Sequence, residues 1–146
     1  MPISPDHVGR RYPTTEPYRV SAAKIEEFAA ALGDESPCYR GPEPLAPPTF
    51  AMTIAARAWQ AMFDDPQLGL DLAHTIHAEQ SFQWQRMLRT DDLVTASLEI
   101  TSVRVRRGTE IIGIEVSLDT PQGEHLATAS SSLWHTREPE EASSDE

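Results

Sequence analysis

The segment Ala46-Pro47-Pro48-Thr49-Phe50-Ala51-Met52-Thr53-Ile54-Ala55-Ala56-Arg57-Ala58-Trp59-Gln60-Ala61-Met62-Phe63 limits the possible folds most, because its helical pattern is apolar nearly all the way round. A helix of that kind must be buried on most sides. Pro47 and Pro48 mark its start, with Thr49 as the expected N-cap. Asp64-Asp65-Pro66 ends it. The fourteen residues from Phe50 to Phe63 rise about 21 Å, roughly the length of a six-residue strand, so one sheet can wrap the whole helix.

That sheet is expected downstream. Ile76, Ala78, Phe82 and Trp84 alternate with His77, Glu79, Ser81, Gln83 and Gln85, as in a strand with one packed face, and Gln80 interrupts that face. Val94, Ala96, Leu98 and Ile100 point inward along a second strand, whose parity slips before Val103 and Val105, predicting a bulge near Thr101-Ser102. Arg106-Arg107-Gly108-Thr109 makes a hairpin turn. A third strand carries Ile112, Ile114, Val116 and Leu118, and after the turn Thr120-Pro121-Gln122-Gly123 a last strand runs from Glu124 to Thr136. Upstream, Tyr18-Arg19-Val20 reads as a short strand. Ser21 then caps an amphipathic helix, with Ile25, Phe28, Ala29 and Leu32 on one face and Gly33 as its stop. Helices followed by a run of antiparallel strands indicate an α+β fold.

A chain of 146 residues, 39% apolar and 24% charged, fits one globular domain, taken as residues 1–136. Residues 137–146 hold five carboxylates against Arg137, four of the eleven net negative charges, and read as a disordered acidic tail. The acidic balance disfavours nucleic acid and anionic membranes as partners. Without a signal-peptide pattern or a membrane-length apolar run, the expected location is cytoplasmic. The single cysteine, Cys38, fits a reducing compartment. The residue patterns for metal, nucleotide-phosphate or Ser-His-Asp chemistry are absent, so neither metal nor cofactor is expected.

Four stretches together resemble the MaoC-like (R)-specific hydratases and dehydratases: Gly33-Asp34-Glu35-Ser36-Pro37-Cys38-Tyr39, Ala46-Pro47-Pro48-Thr49-Phe50, Asp65-Pro66-Gln67-Leu68-Gly69-Leu70-Asp71 and His77-Ala78-Glu79-Gln80-Ser81-Phe82. Within that family they look most like the non-catalytic subunit of two-subunit (3R)-hydroxyacyl-ACP dehydratases, a FAS1-like dehydratase domain. The resemblance covers residues 6–135. It implies a hot-dog fold, an acyl-CoA or acyl-ACP ligand, and pairing of two hot dogs, as a homodimer or as a heterodimer with a catalytic MaoC-like subunit.

Dehydration of a 3-hydroxyacyl thioester needs a base for the α-proton, an acid for the departing hydroxyl and stabilisation of an enolate oxygen. The catalytic relatives carry Gly-Asp-x-Asn-Pro-x-His. Here Asp34 matches the Asp, Ser36 replaces the Asn and Tyr39 replaces the His. A tyrosine titrates near 10 and a histidine near 6.5, so Tyr39 is a poor base at neutral pH. The degenerate pair Asp34 and Tyr39 thus stands where catalysis would lie, with turning or packing roles as the simpler reading. The helix start at Pro48, Thr49 and Phe50 offers unpaired N–H groups to a thioester carbonyl. Because the resemblance implies that the His77–Phe82 strand runs beside the thioester, His77 and Gln80 join these as substrate-binding candidates. Gln80, an amide on an apolar face, must be satisfied by backbone or at a pocket or interface. His77 lies off that face and reads as a polar surface or interface residue. The resulting expectation is a substrate-binding subunit of a heteromeric (3R)-hydroxyacyl-thioester dehydratase, inactive alone. A homodimeric acyl-CoA-binding module and a hot-dog thioesterase are the alternatives.

Overall fold

Apolar alternation after residue 72 produces four long strands, and the computed structural model, which describes residues 2–137, pairs them all antiparallel. The elements in chain order are β1 (Tyr18–Arg19), α1 (Ala22–Leu32), α2 (Ala51–Phe63), β2 (Thr75–Trp84), β3 (Leu93–Arg106), β4 (Thr109–Asp119) and β5 (His125–Thr136). The sheet order is β1-β3-β4-β5-β2, so β2 is an edge strand. α2 packs on the inner face, against β3, β4 and β5. Among the described residues no helix is long and apolar enough to cross a membrane.

The expected capping of α1 is present: Ser21 Oγ accepts the Lys24 N–H at 3.1 Å, and Gly33 closes the helix in the left-handed region at φ 69°. Ile25 and Ala29 are buried and Phe28 half-buried, but Leu32 is exposed because the face turns away from the core at the last turn. Thr49 does not cap α2. It lies inside a 3-10 turn, Pro48–Phe50, that precedes the helix and makes no side-chain cap bond. Phe50, the last residue of that turn, is fully buried and meets Phe28 edge-on at 5.4 Å.

Inner-face packing follows the sequence through β3 and β4. Val94, Ala96, Leu98, Ile100, Val103, Ile112, Ile114, Val116 and Leu118 are all buried, and the β3 register shifts between Ile100 and Ser102 as the parity slip predicts. Opposite that bulge sits Gly113, where a β-carbon would collide with Ser102 Oγ. Val105 is exposed, since β3 there runs past the end of the core. β5 supplies Ala127, Ala129, Ser131, Leu133 and His135 to the same face.

β2 departs from expectation. Its pairing with β5 shifts between His77 and Glu79, leaving Ala78 as the extra residue. The shift inverts the strand upstream: His77 lies opposite buried Leu133 and faces inward, while Ile76 lies opposite Trp134 on the outer face and is 65% exposed. One added residue suffices because side chains alternate with a period of two.

Two charged junctions also differ. Arg86, an arginine that sequence alone would leave in solvent, is half-buried and paired with Asp92 and Glu124. Arg137, read as part of the tail, is fastened to the body by Glu110 and by the carbonyls of Leu68 and Gly69. The remainder of that tail lies outside the described residues.

Candidate functional site at the open flank of the central helix

α2 is buried unevenly, and the uneven side defines the site. Ala51, Ile54, Ala55, Ala58 and Met62 are buried by the sheet. Met52, Ala56, Trp59 and Phe63, spaced four, three and four apart, form one stripe along the opposite flank. Met52, Trp59 and Phe63 are only half-buried and Ala56 is exposed. That stripe borders β2, where the His77 ring stands edge-on to Trp59 with centroids 5.0 Å apart. Farther along β2, Phe82 and Trp84 stack at 5.9 Å, both half-buried. The result is a half-open apolar strip beside the edge strand β2.

A small polar network interrupts it. Gln80 Nε2 donates to the Ser81 carbonyl at 3.1 Å, which fixes the orientation of the amide. Gln80 Oε1 then accepts from Ser131 Oγ, and lies 3.0 Å from His77 Nε2. With the amide oxygen as acceptor, this contact is a hydrogen bond when His77 Nε2 carries a proton. Of the two ways open to Gln80 in the sequence, the structure thus shows bonds to Ser131, His77 and one backbone carbonyl. Beside this network the buried Trp59 Nε1 has no hydrogen-bond partner among the described residues.

Asp34 and Tyr39 sit elsewhere, in the loop after α1. The Asp34 N–H donates to Ala29 O at 3.0 Å, and its Oδ1 accepts the Ser36 N–H at 3.0 Å, so this carboxylate shapes the turn. Tyr39 ends a 3-10 turn, Pro37–Tyr39, and packs half-buried against the core. Burial, with the neighbouring Cys38 and Asp34, raises its phenol above the ordinary value. A phenol shifted upward is still less of a base at neutral pH. Pro48 and Thr49 are exposed at the start of α2, and Phe50 is committed to the core, so of that trio only the first two face outward.

Among the substrate-binding candidates, then, His77 and Gln80 are brought together, and their hydrogen bonds do not extend to Asp34 or Tyr39, which bond within their own loop. Trp59 and Ser131 are the partners that sequence reasoning missed. Trp59 resembles any core aromatic at helical spacing, and Ser131 lies on the strand whose parity the sequence leaves open.

Residues 6–129 match the FAS1-like, dehydratase domain region. A UPF0336 protein of Cutibacterium acnes is 63% identical over 137 residues, spanning 94% of this chain and 96% of its own. Among solved structures, a MaoC-like dehydratase superposes with a TM-score of 0.78 at 25% identity, covering 89% of this chain, which in turn spans 42% of that longer protein. The C-terminally truncated HadBC (3R-hydroxyacyl-ACP dehydratase) complex of Mycobacterium tuberculosis superposes at 0.77 and 23% identity, with 88% and 97% coverage. A curled antiparallel sheet around one helix is common to them, and the chain belongs to the FAS1-like dehydratase domain family, with the hot-dog fold of the MaoC-like dehydratases.

Proposed function

We propose that this chain is the substrate-binding, non-catalytic subunit of a heteromeric (3R)-hydroxyacyl-thioester dehydratase or hydratase, acting on a thioester of CoA or of an acyl carrier protein. The observation that carries this reading is Tyr39. It occupies the place of the histidine in the motif of the catalytic relatives, and its phenol is raised rather than lowered. At pH 7 even an unshifted tyrosine is ionised in only about one molecule in a thousand, so the α-proton has no base on this side. Asp34, spent on its turn, does not replace it.

The open flank supports the other half of the reading. In this reading the acyl chain lies along the half-open apolar strip of Met52, Trp59, Phe63 and Phe82, and the His77–Gln80 pair sets one polar point beside it, the combination that small-molecule sites use. A second hot dog closing over the β2 edge would complete the pocket and bring the catalytic Asp and His. That a structural neighbour, the HadBC (3R-hydroxyacyl-ACP dehydratase) complex, is a complex supports a heteromeric assembly.

The test is a spectrophotometric assay of crotonyl-CoA hydration. The isolated chain should show negligible turnover, and co-expression with a MaoC-like chain carrying the intact Asp and His motif should restore it. Activity of that pair should survive Tyr39→Phe and vanish when the partner's motif His is replaced. Robust turnover by the isolated chain, abolished by Asp34→Asn, would overturn the assignment.

A further inference from the structure

The apolar inner face of the sheet ends in two titratable side chains. Beyond Ile112 on β4 and Leu133 on β5, the next inward residues are Glu110 and His135, a cross-strand pair 3% and 2% exposed. A carboxylate and an imidazole so deep in the protein need their hydrogen bonds met. His135 Nδ1 lies 2.9 Å from Glu110 Oε2, and Arg137 donates to both oxygens of that carboxylate. From the other side the Asp71 N–H donates to His135 Nε2 at 3.1 Å.

That last bond fixes the form of the ring. A backbone N–H can only donate, so the contact is a hydrogen bond when Nε2 is bare and the single ring proton sits on Nδ1, toward Glu110. A proton taken from solvent can then go only to Nε2, where it faces the Asp71 N–H. Two donors would stand opposed, and the Asp71 amide would lose its partner. On the far side of the ring the bond to Glu110 becomes charge-assisted and holds the imidazole where it is. Acid thus acts on the Asp71 side alone.

Asp71 belongs to the connection that leads from α2 into β2. Leu68 and Leu70 of that connection are buried, and Arg137 donates to the carbonyls of Leu68 and Gly69. The Asp71 carboxylate accepts the Ala73 N–H at 2.9 Å and lies 3.0 Å from His74 Nδ1. Thr75, opposite His135, then opens β2. The charged and titratable groups around His135 are therefore Glu110 from β4, Arg137 from the end of β5, and Asp71 with its His74 from the connection.

We propose that His135 is a pH latch on the start of β2. Neutral, it holds the Asp71 N–H and with it the end of the connection; protonated, it releases that segment while the pairing of β4 with β5 stays intact. The bond requires the neutral ring, so it is complete above the titration of the imidazole and lost as pH falls through it. Histidine is the side chain suited to such a change between about pH 5 and 8. The strand so released is the edge of the sheet and carries His77 against Trp59. Acidification therefore loosens the border of the half-open strip, whatever occupies it.

The test is NMR on the isotope-labelled full chain, titrated from about pH 8 to about pH 5. Imidazole nitrogen shifts follow the protonation of His135, and hydrogen exchange, corrected for the intrinsic rate at each pH, follows the Asp71 amide. Opening at Asp71 should rise about tenfold for each unit below the midpoint of His135. The amides from Ile112 to Leu118 should keep their protection. His135→Gln retains an acceptor that does not titrate and should abolish the response, whereas His74→Asn should leave it in place. If His135→Gln does not fold, agreement of the two midpoints in the natural chain, together with His74→Asn, decides. The latch is overturned by an imidazole that stays neutral throughout, by an Asp71 amide indifferent to its protonation, or by a response that disappears in His74→Asn.

Discussion

Gln80 is the residue on which the site turns, and its surroundings set what a substitution costs. On an apolar strand face, replacing the amide by leucine would be neutral or slightly stabilising. Here the face also holds Ser131, 7% exposed, whose hydroxyl donates to Gln80 Oε1. Gln80→Leu strands that hydroxyl, so the expected loss in a thermal or urea melt is about 1–2 kcal/mol. Adding Ser131→Ala removes the stranded group, and the double variant should cost less than the sum of the single ones. A purely structural amide would leave ligand affinity intact in both variants. A site amide weakens acyl-thioester binding, or the turnover of the reconstituted pair, in both alike. Gln80 stood out in the sequence as a polar residue on a committed face. Its partner did not, because the neighbours of an interior serine depend on a register that no local pattern reveals.

At the scale of elements, the N-terminal strap is tied to the connection after α2 by one carboxylate. Arg10 Nη1 donates to Asp65 Oδ2 at 2.8 Å and the Tyr12 hydroxyl donates to the same oxygen at 2.7 Å. Burial pushes the Asp65 carboxyl up, but the bonds from Tyr12, Arg10 and the Gln67 N–H outweigh it and hold the group below its ordinary value. A depressed folded pKa means that this stabilisation is complete above about pH 4 and is lost as pH falls through the folded value. Asp65→Asn should therefore cost about 1–3 kcal/mol at pH 7 and should narrow its gap from the natural chain as the pH drops to about 3. Urea unfolding at the two pH values checks this, and an unchanged gap would refute the linkage. Helices, turns and the inner faces of β3 and β4 were legible in the sequence because local periodicity and capping decide them. Even the β3 bulge was, since two valines reappear out of phase. The β2 bulge was not. Ile76 and Ala78 keep the parity of Phe82 and Trp84, and only pairing with β5 places His77, instead of Ile76, beside Trp59.

For the whole molecule, two incomplete surfaces meet. β2 is an edge strand, and the neighbouring stripe of α2 is half-open. Exposed strand edges are normally blunted, covered or paired. Charge does little to blunt this one, for Glu79 is the only charged residue between Thr75 and Trp84. We expect a dimer at micromolar concentration, either of this chain with itself or one-to-one with a catalytic MaoC-like subunit. Static light scattering that returns a stable monomer both alone and with such a subunit would exclude this assembly. The sequence conveyed the need for a partner only through the resemblance. Apolar periodicity marks α2 as buried on most sides, without saying how much of that burial comes from its own chain.

The extra residue in β2 also bears on insertions and deletions. Ala78 has no partner on β5, so deleting it would rejoin His77 and Glu79 in regular pairing and leave every other side chain of the strand on its present face. Deleting one residue between Gln80 and Trp84, or inserting one there, would instead turn part of the strand inside out. Codon loss is thus harmless to the site at one position of this strand and ruinous a few positions later, with no change in chemical composition to distinguish them.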